Sequence, residues 1–303
     1  MDKKYALQID GLRLIAMVSI FCNHCDFLKL NPATDYLFEH FFHFGGIGVE
    51  FFILLSGFMA AISYNPNTGA KTYFKKRAIR LFPVHLICML LFIPLILYTP
   101  SIEKIVALFL TTGLLQSISP NTWNYYNPAS WTISTLWLLY LMTPYIMRRI
   151  ANIRKGRIIT ILILSIVAGF YLNSLFFDQA EWFFYISPFY RIVTFLQGIL
   201  LAQIIKLSTM DFHTRLTATV FEMLVLGVFV AELVVVTKVS HCGYFYTLPI
   251  MLIIMVFYVG GVFFTSPIVK NYYQAFKYQF FILYDSLLGS RGYNSKGYKV
   301  YAY

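Results

Sequence analysis

Apolar stretches alternate with short polar or basic stretches along this chain, and their lengths predict its architecture. A helix needs about 20 predominantly apolar residues to cross a hydrocarbon core of about 30 Å. Candidate spans of roughly this length lie at 12–29, 44–63, 82–99, 129–147, 157–175, 188–205, 216–237 and 244–265. The pattern therefore predicts an all-α fold, a polytopic transmembrane helix bundle with about 8–10 membrane segments.

A further apolar stretch, 105–118, is short and has polar residues on both sides. Loops rich in Lys and Arg stay on the cytoplasmic side of a membrane. The basic loops 64–80 and 148–157 and the basic N-terminus fall on one side only if 105–118 does not cross. We therefore expect a re-entrant or interfacial segment here, with the N-terminus in the cytoplasm.

The composition excludes an ordinary soluble domain. Hydrophobic residues make up 59% of the chain, charged residues make up 12%, and the mean hydropathy is +0.67, whereas a soluble domain carries about 25% charged residues. The net charge of +11 is concentrated in short loops, which fits anchoring to the cytoplasmic leaflet. We expect a multi-pass protein of the bacterial cytoplasmic membrane, with the lipid bilayer as a partner and no nucleic acid.

The chain divides into one long membrane domain and a short tail. Residues 1–288 form the predicted membrane domain, and no internal repeat or separate soluble domain interrupts it. Residues 289–303 are polar, rich in Tyr and punctuated by Gly. Such a segment cannot bury enough apolar surface to fold, so we expect a disordered tail.

The first span carries two ionisable residues on one face. Arg13 and His24 are separated by eleven positions, which gives roughly 16 Å along a helix axis and an angular offset of only about 20°. Ionisable residues deep in a membrane usually face a bundle interior or a cavity. His24 is therefore a candidate general base near neutral pH, and the alternative is a hydrogen-bonded core histidine.

The second span carries a carboxylate. Glu50 lies about two turns from the outer end of this span, at a depth comparable to that of His24. A carboxylate there would fix the tautomer of an imidazole and hold its pKa up, which makes Glu50 a candidate catalytic residue. The alternative is an acid that faces a polar vestibule. We expect Ser56 and Gly57, further along, to allow close helix packing.

Arg77 and Arg80 are candidates for binding phosphate. Arginines three positions apart share one helix face and can form a fork for phosphate oxygens. The alternative is a positive anchor at the cytoplasmic surface, which needs no ligand.

Several short motifs follow one another along the chain. They are Gly11-Leu-Arg13 with His24, Gly48-Val-Glu-Phe-Phe-Ile-Leu-Leu-Ser-Gly57-Phe58, Arg77-x-x-Arg80-Leu-Phe-Pro83, Ser130-Trp131-Thr-Ile-Ser134, and Pro188-Phe-Tyr-Arg191-x-x-x-Phe-Leu-x-Gly198. Each motif is weak alone. In this order and spacing, over about residues 8–205, the chain resembles acyltransferase family 3.

This resemblance implies a membrane O-acyltransferase. It implies that an acyl group, most simply acetyl, passes from cytoplasmic acyl-CoA to a hydroxyl of a cell-surface or exported polysaccharide or a lipid-linked glycan. It also implies that His24 is catalytic and that Arg13, Arg77 and Arg80 lie on the donor side. The thioester of acetyl-CoA supplies the driving force, so we expect no metal and no redox cofactor.

The chain departs from the family pattern in two places. Many members carry one or two glutamates after the Trp-Ser-Leu-Ser signature, where this chain has Thr135, Leu136 and Trp137. Members also usually continue through a further helix or two, where this chain has its polar tail. We therefore expect a chain that is truncated relative to the family.

Two further residues are candidates for binding the acceptor. Arg191 begins a span near its outer end, where it would contact acceptor hydroxyls or extend to lipid headgroups. Trp131 would stack on a sugar ring or belong to an aromatic belt at the interface.

Two other classes of protein compete with the acyltransferase. In a proton-coupled transporter or flippase, the intramembrane histidine and acid would relay protons, but such proteins often contain repeated halves with interrupted helices, and no repeat is visible here. The other alternative is a catalytically inactive relative.

Overall fold

The structure is a computed structural model, and it describes part of the chain in detail. The described residues are 3–23, 31, 34–35, 45–92, 94, 98, 101–176, 180, 182–208, 214–236 and 243–260. His24 and the predicted tail 289–303 lie outside them.

The described residues form nine α-helices and no strand, which confirms the all-α prediction. The helices are α1 Lys3–Asn23, α2 Gly45–Ile62, α3 Ala70–Leu90, α4 Ile102–Thr112, α5 Trp131–Ile150, α6 Lys155–Phe176, α7 Pro188–Lys206, α8 Arg215–Val236 and α9 Thr247–Gly260. Short turns of 3₁₀ or π geometry precede α5, α7 and α9.

Two helices begin earlier than the apolar pattern predicts. α1 begins at Lys3 rather than at residue 12, and α3 begins at Ala70 rather than at residue 82. Most of the predicted loop 64–80 is therefore helical. Hydropathy detects only the apolar part of a helix, whereas Lys and Arg are good helix formers and extend it beyond that part.

Helices α2 and α7 run in the same direction. Glu50 near the start of α2 contacts Arg191 near the start of α7. At their other ends, Lys206 Nζ donates a 2.7 Å hydrogen bond to the carbonyl oxygen of Ala61. The first turns of α2 and α7 therefore contact each other, and so do their last turns.

Helices α5 and α9 share this direction. The contacting pairs are Thr247–Glu50 and Tyr258–Phe58 for α9 against α2, and Tyr140–Phe195 and Met147–Gln203 for α5 against α7. Four helices of the bundle are therefore parallel to one another.

The chain between α3 and α5 returns to the end of the bundle that it left. Arg77 lies over the ring of Tyr140, and Phe82 packs on Trp137, so α3 and α5 are antiparallel. An additional crossing between them would have made them parallel. The intervening helix α4 has 11 residues and a length of about 16 Å, about half of a hydrocarbon core. This agrees with the prediction that segment 105–118 does not cross.

Basic residues gather where α2, α5 and α7 finish. Arg148 and Arg149 lie in the last turn of α5, and Lys206 lies in the last turn of α7. Arg77 on α3 reaches Ser63, just beyond α2, with an Nη2–Oγ distance of 3.4 Å. We call this the basic end of the bundle, and we call the end where α2, α5, α7 and α9 begin the opposite end.

Helix α7 lies at the centre of the bundle. Three described helices are long and apolar enough to cross a membrane: Lys155–Phe176, Trp182–Lys206 and Arg215–Leu233. In the most apolar window of each, 22%, 67% and 17% of the residues are buried, respectively. Helices α6 and α8 therefore turn most of their apolar surface outward, as lipid-facing helices do. Gly46–Ile62 and Thr247–Gly260 are shorter apolar helices.

Two glycines bring the backbones of α2 and α7 into contact. A Cβ atom at Gly57 would overlap the carbonyl oxygen of Phe195, and a Cβ atom at Gly198 would overlap the carbonyl oxygen of Leu54. Small residues at such crossings let membrane helices approach closely. This confirms the packing role predicted for Gly57.

We expect Gly198→Ala to destabilise the bundle by about 1–3 kcal/mol, because the added methyl group overlaps backbone that cannot move aside without shifting α2. The matched control is Gly227→Ala on α8, where an added Cβ meets nothing within 4 Å. SDS titration of the protein in a mild detergent measures both free energies of unfolding. Equal stability of the two variants would contradict the close crossing.

Candidate active site

Glu50 is buried and its carboxylate is fully engaged. The residue is 0% exposed. Its Oε2 atom accepts a short hydrogen bond from Arg191 Nη1. Its Oε1 atom accepts hydrogen bonds from Thr194 Oγ1 at 2.8 Å and from Thr247 Oγ1 at 3.2 Å. The carboxylate thus joins α2, α7 and α9, and it does not face an open vestibule.

Arg191 is fixed by groups other than its carboxylate partner. It is 2% exposed, so its side chain does not extend to lipid headgroups. Its Nε atom donates to the carbonyl oxygen of Tyr185 at 2.6 Å. Its guanidinium carbon lies 5.1 Å from the centroid of the Tyr185 ring, close enough for a cation–π interaction. Contacts with Tyr185 and Glu50 therefore fix two N–H groups and one face of the Arg191 guanidinium.

We call Glu50, Arg191, Thr194 and Thr247 the paired site. A buried ion pair is tolerated when hydrogen bonds compensate for lost hydration. Here two hydroxyls and one backbone carbonyl supply those bonds. The site is held rigidly, since its members come from three packed helices.

The first turns of α5 support the paired site from one side. Trp131 is 6% exposed, and its ring centroid lies 5.2 Å from that of Tyr185. Thr135 Oγ1 donates to the carbonyl oxygen of Ile186 at 2.9 Å. Both contacts fix the turn that presents Tyr185 to Arg191. Binding of an acceptor by Trp131 or Arg191 stays a prediction.

The last turns of α1 pack against the part of α2 that carries Glu50. α1 ends one residue before His24, which lies outside the described residues. A Cβ atom at Gly48 of α2 would come within 2.7 Å of Ile20 Cγ1 on α1. Gly48 precedes Glu50 by half a turn. The catalytic role of His24 stays a prediction, and so does the role of Glu50 in orienting it. A carboxylate has about four lone-pair positions, and three donors occupy those of Glu50 here.

Arg77 occupies an aromatic cage at the basic end. Its guanidinium carbon lies 4.5 Å from the centroid of Tyr140 and 5.2 Å from that of Tyr73. Tyr73 is 8% exposed. We call these three residues the arginine cage. The rings orient the side chain of Arg77 towards the bundle interior and leave it half-buried.

The other two donor-side candidates lie in different surroundings. Arg80 is exposed, one turn after Arg77 on the same helix. Arg13 Nη1 lies 3.2 Å from Asp10 Oδ1 on α1, and both side chains are partly exposed. Such an exposed ion pair contributes little to stability. Only Arg77 of the three is therefore positioned by packing among the described residues.

The Ser-Trp-x-x-Ser motif has a structural role at the opposite end. Ser134 Oγ donates to the carbonyl oxygen of Leu114 and also accepts from the backbone N–H of Ser117. Gln116 Nε2 donates to Ser130 Oγ at 3.0 Å. Non-helical backbone at membrane depth must be satisfied by protein or water. The two serines supply these bonds to the irregular segment that follows α4, which includes the 3₁₀ turn Gln116–Ile118.

Two tyrosines attach the next loop to α4. Tyr125 OH donates to Glu103 Oε2 at 2.8 Å, and Tyr126 OH donates to the carbonyl oxygen of Lys104 at 2.6 Å. The hydrogen bond to Glu103 raises the pKa of the exposed Tyr125 phenol. These rings therefore hold the loop in place against α4.

Sequence reasoning missed several members of the site. Thr194 lies three positions after Arg191 on one helix face, a spacing that could have identified it. Thr247 is separated from Glu50 by 197 positions, and no local signal connects them. Tyr185 and Tyr140 were hidden among the many aromatic residues of the chain.

Comparison with known proteins identifies the family. The sequence profile described as an acyltransferase domain matches residues 7–290. The chain belongs to acyltransferase family 3. This agrees with the family that the sequence motifs indicated. No solved structure matches it significantly.

The curated relatives of this chain are distant. A protein named as an acetyltransferase, from Acidianus two-tailed virus, is 28% identical over 218 residues, which cover 71% of this chain and 63% of that protein. Acyltransferase MdmB of Streptomyces mycarofaciens is 24% identical over 65% of this chain and 57% of its own length. Nodulation protein 10 of Rhizobium leguminosarum bv. viciae is 27% identical over 46% of this chain and 35% of its own length. The match thus spans less than two thirds of each relative.

We expect Arg191→Gln to destabilise the protein by about 3–5 kcal/mol, because it leaves the buried Glu50 carboxylate without its cation. The double variant Glu50→Gln/Arg191→Gln removes both charges and should recover much of that loss. SDS titration measures the three free energies of unfolding. A double variant no more stable than Arg191→Gln would contradict the explanation that an unpaired buried charge causes the loss.

Proposed function

We propose that this acyltransferase moves an acyl group, most simply acetyl, from cytoplasmic acyl-CoA to a hydroxyl of a cell-surface or exported polysaccharide or glycolipid. The proposal puts the chain in the cytoplasmic membrane of a bacterial cell, with its N-terminus and its basic end facing the cytoplasm. The concentration of Lys and Arg at that end supports this orientation.

One observation carries the proposal: two polar sites lie at opposite ends of the same helix. The arginine cage lies at the basic end, where Arg77 reaches Ser63 beyond α2. The paired site lies near the start of α2, at Glu50. The 13 positions from Glu50 to Ser63 correspond to roughly 20 Å along the helix axis. An enzyme that takes its donor from one side of a membrane and delivers to the other needs such a separation.

In the proposed reaction the donor enters at the basic end. The phosphates of acyl-CoA bind Arg77, with Arg80 and Arg13 adding positive charge, and the thioester arm extends into the bundle towards His24. Arg77 is suited to this role because its planar guanidinium presents several N–H groups to phosphate oxygens. The aromatic rings on either side of Arg77 limit its movement before the donor arrives.

His24 then carries the proton or the acyl group. As a general base it removes the acceptor's hydroxyl proton while the oxygen attacks the thioester carbon. As a nucleophile it takes the acyl group first and passes it to the acceptor oxygen. In both routes the C–S bond breaks, an ester forms, and CoA leaves as a thiol with the proton.

We expect the purified full chain to release free CoA thiol from acetyl-CoA when a polysaccharide extract is present. The extract is prepared from the envelope of the bacterium that produces the protein. A thiol-reactive dye measures the release. His24→Ala should lower the rate by about a hundredfold or more, because it removes the general base or nucleophile. Thiol release by His24→Ala at the rate of the unaltered chain would end the proposed role of that residue.

The same assay separates an acyltransferase from both competing classes of protein. A proton-coupled transporter or an inactive relative releases no thiol from acetyl-CoA under any of these conditions. A thermal shift with acetyl-CoA distinguishes these two outcomes from poor folding, since it reports whether the purified protein is folded.

We expect Arg77→Lys to weaken binding of acetyl-CoA more than Arg80→Lys does. Lysine keeps the charge at either position, but at 77 it loses the guanidinium that contacts the rings of Tyr73 and Tyr140 and the bidentate geometry for phosphate. Isothermal titration with acetyl-CoA measures both affinities. If both Lys variants bind acetyl-CoA as tightly as the unaltered chain, the arginines are only surface anchors.

A further inference from the structure

Arg191 carries more hydrogen-bond donors than the described residues satisfy. A guanidinium has five N–H groups. One at Nε is donated to Tyr185 and one at Nη1 is donated to Glu50. None of the described residues accepts a hydrogen bond from Nη2. Arg191 as a whole is 2% exposed, so bulk water contributes little to the hydration of this charge.

The orientation of this unused donor is fixed in advance. The backbone of the turn before α7 holds Nε, and Glu50 holds Nη1. Glu50 is itself held by Thr194 and Thr247. Because the guanidinium is planar, these contacts also determine where Nη2 lies. Donors that are oriented before reaction stabilise developing charge without reorganising.

The charge balance of the site disfavours an anionic ligand. Glu50 offsets the positive charge of Arg191, so the pair attracts a phosphate or carboxylate weakly in the ground state. A neutral carbonyl meets no such restriction, and a carbonyl oxygen that becomes negative during reaction gains from a donor in a dry site. Arg77, which reaches Ser63 at roughly 20 Å from Glu50 along α2, has no such compensating acid among the residues that contact it.

We propose that Arg191 is a catalytic residue that binds the carbonyl oxygen of the thioester through Nη2 and stabilises the oxyanion of the tetrahedral intermediate. This inference rests on the proposed function. Glu50, Thr194 and Thr247 are positioning residues, because they act through Arg191 and not on the substrate.

The step balances as an ordinary acyl transfer. The acceptor oxygen, or the His24 imidazole, forms a bond to the carbonyl carbon, and the π electrons of the carbonyl move onto its oxygen. Arg191 donates a hydrogen bond to that oxygen throughout and keeps its own proton. The electrons then return and the C–S bond breaks. If the acceptor attacks directly, the sulfur leaves with the proton that His24 has taken from the acceptor. If His24 attacks, the thiolate leaves first and later takes up the proton that the acceptor hydroxyl releases when it displaces the imidazole.

We expect Arg191→Lys to lower kcat by about 10²–10³-fold, the usual loss for an oxyanion donor, with KM values for acetyl-CoA and for the polysaccharide extract unchanged. A single ammonium cannot serve Glu50, the Tyr185 carbonyl and the substrate oxygen at once. If saturating polysaccharide restores the rate, Arg191 binds the acceptor instead, and the proposal is wrong.

The double variant Glu50→Gln/Arg191→Gln covers the case in which Arg191→Lys does not fold. It removes both charges together, so no unpaired charge remains buried. Glutamine keeps the size of Glu50, and at 191 it is shorter than arginine but keeps two N–H donors. It lacks the cationic donor and should show the same loss of kcat. Transfer at the rate of the unaltered chain by this variant overturns the proposal.

Thr111→Val is the matched control for changing a buried polar side chain. Thr111 is 2% exposed, and its hydroxyl has no hydrogen-bond partner among the described residues, so valine should leave kcat unchanged.

The assay distinguishes failure of the proposed function from failure of the inference about Arg191. If the unaltered chain releases no thiol from acetyl-CoA, the proposed function fails and this inference with it. If it releases thiol and the Arg191 variants do so equally fast, only the inference fails.

Discussion

Backbone contact between α2 and α7 is the constraint that the active-site geometry depends on. At Gly57 and Gly198 each helix presses against the main chain of the other. This short separation lets Glu50 reach Arg191 directly, two turns away from the crossing. A wider spacing would leave a carboxylate and a guanidinium facing each other across a gap that only water could fill. The two glycines therefore set the distance between Glu50 and Arg191, although neither glycine belongs to the paired site.

Irregular backbone at the opposite end is stabilised from a single helix. The first turns of α5 bind the segment after α4 through Ser130 and Ser134, and they bind the turn before α7 through Thr135. Neither segment is regular α-helix, and both would be costly in a membrane if their polar groups were unpaired. Since the second segment presents its carbonyl group to Arg191, α5 couples the packing of the loops to the position of the guanidinium.

The sequence predicted the helical class, the non-crossing segment and the small-residue contact, because these follow from local composition and from charge distribution. It also identified Glu50 and Arg191 as candidates one at a time, since ionisable residues inside apolar spans are rare. It did not pair them. The two lie 141 positions apart, and apolar periodicity states which face of a helix is buried but not which helix it meets. Arg77 was predicted, but its burial between Tyr73 and Tyr140 depends on the antiparallel packing of α3 on α5.

The short helix α4 has an electrical consequence. Because it does not reverse the chain, α2, α5, α7 and α9 all begin at the same end. Each helix carries about half a positive elementary charge at its N-terminus and about half a negative one at its C-terminus. Helices of the opposite direction, such as α3, offset part of the summed dipole, but the three helices that hold Glu50 all present their N-terminal ends to it. The negative poles meet the Lys and Arg side chains of the basic end, and the positive poles surround the place where Glu50 is held.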